Sequence, residues 1–120
     1  MNALTGKQIT GISSPEVGQP RTESWWMLDA EPAIVTGPWI PFDGFQDASI
    51  EVFGPFTGVT AKLYGTNQDS PGATVGEQIG SNITAAGFVS ISGVPYRYVR
   101  MDITAISTGA VNAIIQKITR

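Results

Sequence analysis

Carboxylates are the main candidates for acid–base or metal chemistry in this sequence, which contains neither histidine nor cysteine. That removes the usual serine triad, His-ligated zinc, a thiolate nucleophile and disulfides together. Asp43 and Asp47 lie close in the chain, and Glu51 follows. Two such carboxylates, if they converged, could share the work of glycoside hydrolysis. Nothing in their spacing brings them together, and the chain is expected not to be an enzyme. Asp43, Asp47, Asn67 and Asp69 could offer oxygen ligands to calcium, but the alternating acids and closing glutamate of an EF-hand loop are missing. No metal or other cofactor is expected.

The remaining chemistry is recognition. Trp39 and Phe42 stand in the run Pro-Trp-Ile-Pro-Phe-Asp-Gly-Phe. With Asp43 and Asp47 they could form a carbohydrate platform, although such rings more often plug one end of a β-sandwich. Trp25 and Trp26 are adjacent, so on a strand they point to opposite faces and cannot both enter one small core. One is expected to meet another subunit or the N-terminal arm, unless loops cover both; indoles are common at interfaces. Arg100 and Asp102 share a strand face, with Arg97 nearby. They could pair across strands, with Glu51 or Lys117, or with a neighbouring subunit. Asn82-Ile83-Thr84 matches a glycosylation acceptor, which carries no meaning without a secretory signal, and no such signal is recognised.

These residues need strands to position them. Val99, Met101, Ile103 and Ala105 alternate with Arg100, Asp102 and Thr104, the period of a strand with one buried face. Ser107-Thr108-Gly109 reads as a turn, and Val111, Ala113 and Ile115 as a second strand, so the pair predicts a hairpin. Its register is ambiguous, since Ile103 can oppose Ile114 or Ile115. The adjacent Ile114 and Ile115, with Ile118 beyond, give the last strand apolar side chains on both faces. One face needs the core and the other needs a second cover. Ile50 and Val52, then Val59, Ala61 and Leu63, predict another hairpin around Pro55-Phe56-Thr57-Gly58. About six to eight short strands with frequent turns suit a sandwich or barrel. Residues 1–30 read as an extended arm or interaction segment, with Ile9 and Ile12 as its apolar contacts, and residues 31–120 as the sandwich domain.

Composition agrees. At 120 residues one domain is the default. Charged residues make up 14% and hydrophobic ones 42%. A charged share so far below the usual quarter suits a surface partly covered by partners. The net charge of −3 and the lack of a basic block give no ground for nucleic-acid binding. No apolar run approaches a membrane span, and neither nucleic acid nor membrane is expected as a partner.

The run Ala-Lys-Leu-Tyr-Gly-Thr-Asn at 61–67, the run Pro-Tyr-Arg-Tyr-Val-Arg-Met-Asp-Ile-Thr at 95–104, and Thr-Gly-Ala-Val at 108–111 form a pattern. It resembles small β-sandwich structural proteins of tailed bacteriophages, the capsid decoration (cement) proteins among them, from about residue 49 onward. The same pieces are similar to discoidin-type jelly rolls. Here, though, Asn67 is followed by Gln68 and Asp69 rather than Asp-Gly, no Trp follows the turn, and the terminal cysteines of that family are missing. The resemblance implies an all-β antiparallel sandwich, jelly-roll-like, behind an N-terminal arm. It implies a non-enzymatic virion protein made in the host cytoplasm and placed on the capsid surface. Its partners would be the major capsid protein and itself, as a homo-oligomer and by preference a trimer. The partner-binding residues expected on this reading are Ile9, Ile12, Trp25, Trp26, Trp39, Phe42, Arg97, Arg100, Ile114 and Ile118. The alternatives are a carbohydrate-binding module of a tail or fibre, using Trp39, Phe42 and Tyr64, or a tail or head–tail connector component.

Overall fold

A computed structural model of the chain describes residues 7–8 (backbone only), 22–42, 47–69, 71, 76–92 and 96–118. Its strands are β1 (Lys7–Gln8), β2 (Thr22–Glu31), β3 (Val35–Thr36), β4 (Ile40–Pro41), β5 (Asp47–Phe53), β6 (Phe56–Thr57), β7 (Thr60–Thr66), β8 (Glu77–Gln78), β9 (Gly87–Ser92), β10 (Tyr98–Ala105), β11 (Thr108–Gly109) and β12 (Val111–Ile118). Among the described residues there is no helix, and so none long and apolar enough to cross a membrane.

One sheet, A, has the order β1-β2-β12-β5-β9. The other, B, has the order β3-β10-β7-β8, with β4 also on β10. Their pairings are antiparallel. The connectivity becomes simple once β3 and β4 are taken as one broken strand and β1, β6 and β11 are set aside. The first strand then pairs with the last (β2 with β12), the second with the next to last (β3 and β4 with β10), and so inward through β5 with β9 and β7 with β8. This is one long hairpin, rolled until β12 also meets β5 and β10 also meets β7. Such a roll is a jelly-roll sandwich, the fold class expected from the sequence.

Both expected hairpins are absent as pairs. β10 and β12 lie in different sheets, as do β5 and β7. The apolar faces of each couple are buried against each other across the sandwich, not side by side. Val99, Met101 and Ile103 of β10 share one core with Val111, Ala113 and Ile115 of β12. Residues 54–59 and 106–110 are therefore crossings between sheets. They are held by each other, since β6 pairs with β11 through Thr57 with Thr108 and Phe56 with Gly109. Gly109 has φ +90°, and a Cβ there would fall 1.6 Å from the Pro55 carbonyl oxygen. The left-handed glycine was legible; its use in a crossing was not.

β2 takes up residues that had been assigned to the arm, so the sheet begins before residue 31. Its register on β12 shifts twice, between partners Val111 and Ala113 and between Ala113 and Ile114. An extra residue in one strand breaks the two-residue alternation, which lets the neighbours Met27 and Leu28 both enter the core. Ile9, Ile12 and the rest of the expected arm beyond Lys7–Gln8 up to residue 21 lie outside the described residues.

Candidate interaction surface

The sequence-predicted contact residues do not form one surface. Trp39 and Phe42 are buried, at 3% and 0% exposure. Phe42 belongs to the core, as expected of a ring that plugs a sandwich. Neither ring is available to a partner or to a sugar, which corrects their assignment as contacts and removes the carbohydrate platform.

Trp39 instead covers Arg100. Residues 37–39 stand opposite only Met101 and Arg100, because Thr36 pairs with Asp102 while Ile40 pairs with Val99. The extra residue arches the segment over the outer face of sheet B. A Cβ on Gly37 would meet the Met101 carbonyl oxygen at 2.1 Å, so only glycine allows this approach. The Arg100 guanidinium lies 4.5 Å from the Trp39 ring centre and 5.5 Å from that of Tyr64. It reaches both oxygens of Asp102, with Nε 3.1 Å from Oδ1 and Nη2 donating to Oδ2 at 3.2 Å. The Gly37 N–H donates to Asp102 Oδ1 at 3.1 Å. Arg100, at 5% exposure, is thus an internal residue, and it forms an ion pair with Asp102 of its own strand. Burial outweighs the opposing effects of Arg100 and the Gly37 N–H, and holds the Asp102 carboxyl above its usual range.

Inside the sandwich lies a second charged group that the sequence reading missed. Lys117 is fully buried and sits 2.7 Å from Glu23 Oε1. Its ammonium also donates to the Pro41 carbonyl, and the Trp25 indole N–H donates to Glu23. Trp25 therefore turns inward and packs at the margin of the core. The signal was present in the alternation, since Lys117 continues the inward series Val111, Ala113, Ile115.

Arg97 remains at the surface, 3.0 Å from Asp69. Tyr96 donates from its hydroxyl to Glu77 at 3.3 Å. Partial burial and then the Glu77 carboxylate raise that hydroxyl above the usual phenol range. Asp47 and Glu51 stand four positions apart on β5, about 13 Å along a strand, whereas paired glycosidase carboxylates are about 5–9.5 Å apart. Asp43 lies outside the described residues. Among the described residues no three acidic side chains gather around a metal position.

Trp26 and Ile114 are paired on the outer face of sheet A, and Ile118 lies on the same face four positions along β12. The register places Trp26, Ile114, Glu51 and Phe88 in one row across the sheet, with the Phe53 ring 6.2 Å from Trp26. Toward the other end of the strands the rows become hydroxyl-rich. Ser24, Gln116, Ser49 and Ser90 form one row, and Thr22, Ile118, Asp47 and Ser92 the next. All but Ser24 of these two rows line a depression of about 410 Å³. One face thus carries an aromatic and aliphatic half beside a hollow polar half.

No protein-family profile and no curated protein matches the chain in sequence. Solved structures match in fold. The crystal structure of the SPBc2 prophage-derived protein YomS aligns with 88% of this chain and 100% of its own, at a TM-score of 0.72 and 14% identity. That of the PBSX exported protein XepA aligns with 87% of this chain and 40% of its own, at a TM-score of 0.67 and 13% identity. At such identities the likeness is one of fold, and it places this jelly roll beside two proteins of prophage origin.

Proposed function

We propose that the chain is a non-enzymatic structural protein of a bacteriophage particle, and more narrowly a capsid decoration protein that binds the assembled head as an oligomer. The observation that carries the proposal is the likeness to a prophage-derived protein along that protein's whole length. Three features support it. The absence of histidine and cysteine leaves carboxylates as the main candidates for catalysis. The 61–67, 95–104 and 108–111 runs resemble those of phage sandwich proteins. The outer face of sheet A offers Trp26, Ile114 and Phe88 to a partner. Many copies bound to the assembled state and not to free subunits stabilise the shell by mass action. The major capsid protein is then the partner, and the capsid surface the location.

The test is to label particles of the encoding phage with an antibody to this chain, and to add the purified chain to heads that lack it. Label on the heads, with saturable binding that raises their heat resistance, is expected. Label confined to the tail or neck assigns the chain to a connector or fibre, and unlabelled particles overturn a virion role.

A further inference from the structure

Edges of a sheet expose unpaired backbone groups, and proteins blunt them with short strands, charge, proline or bulges. Most edges here are blunted. β1, β3, β4 and β8 are each two residues long; β8 carries Glu77 and β4 carries Pro41. β9 is different. It runs six residues as Gly-Phe-Val-Ser-Ile-Ser, with no charge and no proline. It pairs with β5 without a register shift, and among the described residues no strand lies beyond it. Phe88 projects from it at 71% exposure.

We infer that β9 is the contact by which two copies of this chain pair, edge to edge and antiparallel about a two-fold axis, each lodging its Phe88 at the depression of the other. The register follows from the sheet itself. Phe88, Ser90 and Ser92 lie opposite Glu51, Ser49 and Asp47 on the outer face, while Ile91 is buried on the inner one. A continuous sheet must keep outer residues opposite outer residues, because a one-residue slip exchanges the faces. Two registers satisfy this and pair five residues, one centred on Val89 and one on Ser90; the second leaves out Gly87 and so pairs only residues that carry side chains. It places Val89 opposite Ile91, extending the core layer, and Phe88 opposite Ser92.

Ser92 borders the depression of about 410 Å³, together with Ser90, Asp47 and Ile118. Opposed side chains in an antiparallel pair stand about 4.5–5.5 Å apart at Cβ, within reach of a phenyl ring. The partner is a second copy because one strand carries both the projecting ring and the rim of the hollow that receives it. An isologous contact needs that self-complementarity. A charged edge would meet like charge across the axis; this neutral one does not. The closed unit is a dimer, in place of the threefold cluster implied by the resemblance. The contact gives a structure to the self-association in the proposed function, yet it stands or falls without the capsid.

The experiment measures the mass of the purified full chain in solution and then cross-links it. Native cysteines are absent, so Ser90→Cys supplies a single thiol that meets its own copy at the axis. The native chain is expected at twice the chain mass, Phe88→Glu at the monomer mass, and Ser90→Cys as a disulfide-linked dimer on oxidation. Ser92→Cys, which opposes Phe88, is expected to cross-link far less. Phe88 and Ser90 are exposed, and circular dichroism of each variant confirms that it has folded. A monomeric native chain overturns the inference, as does an oligomer that Phe88→Glu leaves intact and Ser90→Cys does not link. A cross-linked dimer that binds no heads removes the decoration role and leaves the β9 contact standing.

Discussion

The Lys117 ammonium and the Glu23 carboxylate meet at 2.7 Å inside the sandwich, one on β12 and the other on its neighbour β2. Lys117 also reaches the Pro41 carbonyl of β4, in the opposite sheet. One cation therefore ties sheet A to sheet B. Buried pairs are costly to break from one side, because the remaining charge is stranded. Lys117→Ala is expected to destabilise the fold by about 3–5 kcal/mol. Replacing both charges, as Lys117→Met with Glu23→Gln, is expected to recover most of that loss. Urea unfolding of the two single variants and the double variant measures the coupling. Purely additive losses would show that the pair contributes only packing.

The Asp102 carboxyl predicts a pH dependence. Burial, acting against Arg100 and the Gly37 N–H, raises its pKa above the ordinary value of 3.8. The folded chain then holds this proton more tightly than the unfolded chain does. The stability that follows is fully present below the unfolded pKa and is lost as pH rises through the folded one. Asp102→Asn retains an acceptor for the Gly37 N–H but cannot titrate. The stability advantage of the native chain over this variant is expected to be larger near about pH 3 than at about pH 7. Denaturant unfolding of both proteins across that range, taken as a difference, cancels the other titrating groups. A difference that grows with pH would falsify the raised pKa.

Two backbone positions predict opposite signs. Gly109 has φ +90° at the β6–β11 crossing, with the Pro55 carbonyl where a Cβ would be. Gly109→Ala is expected to destabilise by well over about 1 kcal/mol, because alanine fits neither the angle nor the space. Ala30 has φ +51°, a left-handed conformation that costs a non-glycine residue roughly 1 kcal/mol. Its N–H donates to Asn112 Oδ1 at 2.9 Å, which helps to hold it there. Ala30→Gly relieves the strain and is expected to be neutral or slightly stabilising, despite the extra freedom glycine gives the unfolded chain. Thermal melts of the two variants suffice, and a loss at Ala30→Gly comparable to that at Gly109→Ala would defeat the assignment.

These effects also mark what could be read from the sequence. Alternation along 99–105 and 111–115 identified which side chains enter the core, with one exception: Ala105 is exposed, beyond the register shift that follows Ile103 on β10. Alternation does not say which strand is the neighbour. Ser107-Thr108-Gly109 suits a hairpin and a sheet crossing equally, and the choice depends on how two apolar faces meet across the core. Lys117 was in register with that inward series, but its partner Glu23 lies 94 residues away in a segment that read as an arm. The stacking of Trp39 on Arg100 left no local trace, because it arises where the 37–39 arch crosses a strand distant in sequence.

Gly65 and Tyr96 supply the last prediction. Gly65 belongs to β7 and is buried. A Cβ added there would lie 2.5 Å from Tyr96 Cδ1 and 2.7 Å from its Cγ, so the ring occupies the space a side chain would take. Tyr96 is packed against the core by this contact and held at its hydroxyl by Glu77. Gly65→Ala must push the ring away, at a cost of about 1–3 kcal/mol for overpacking. Tyr96→Ala removes the obstacle and loses the ring's own packing. In that background Gly65→Ala is expected to cost far less, so the double variant should be more stable than the two single losses added together predict. Tyr96→Phe is the control, since it keeps the ring and drops only the bond to Glu77; Gly65→Ala should remain fully costly beside it. Equal cost in all three backgrounds would mean that the strain lies in the β7 backbone rather than in the ring above it.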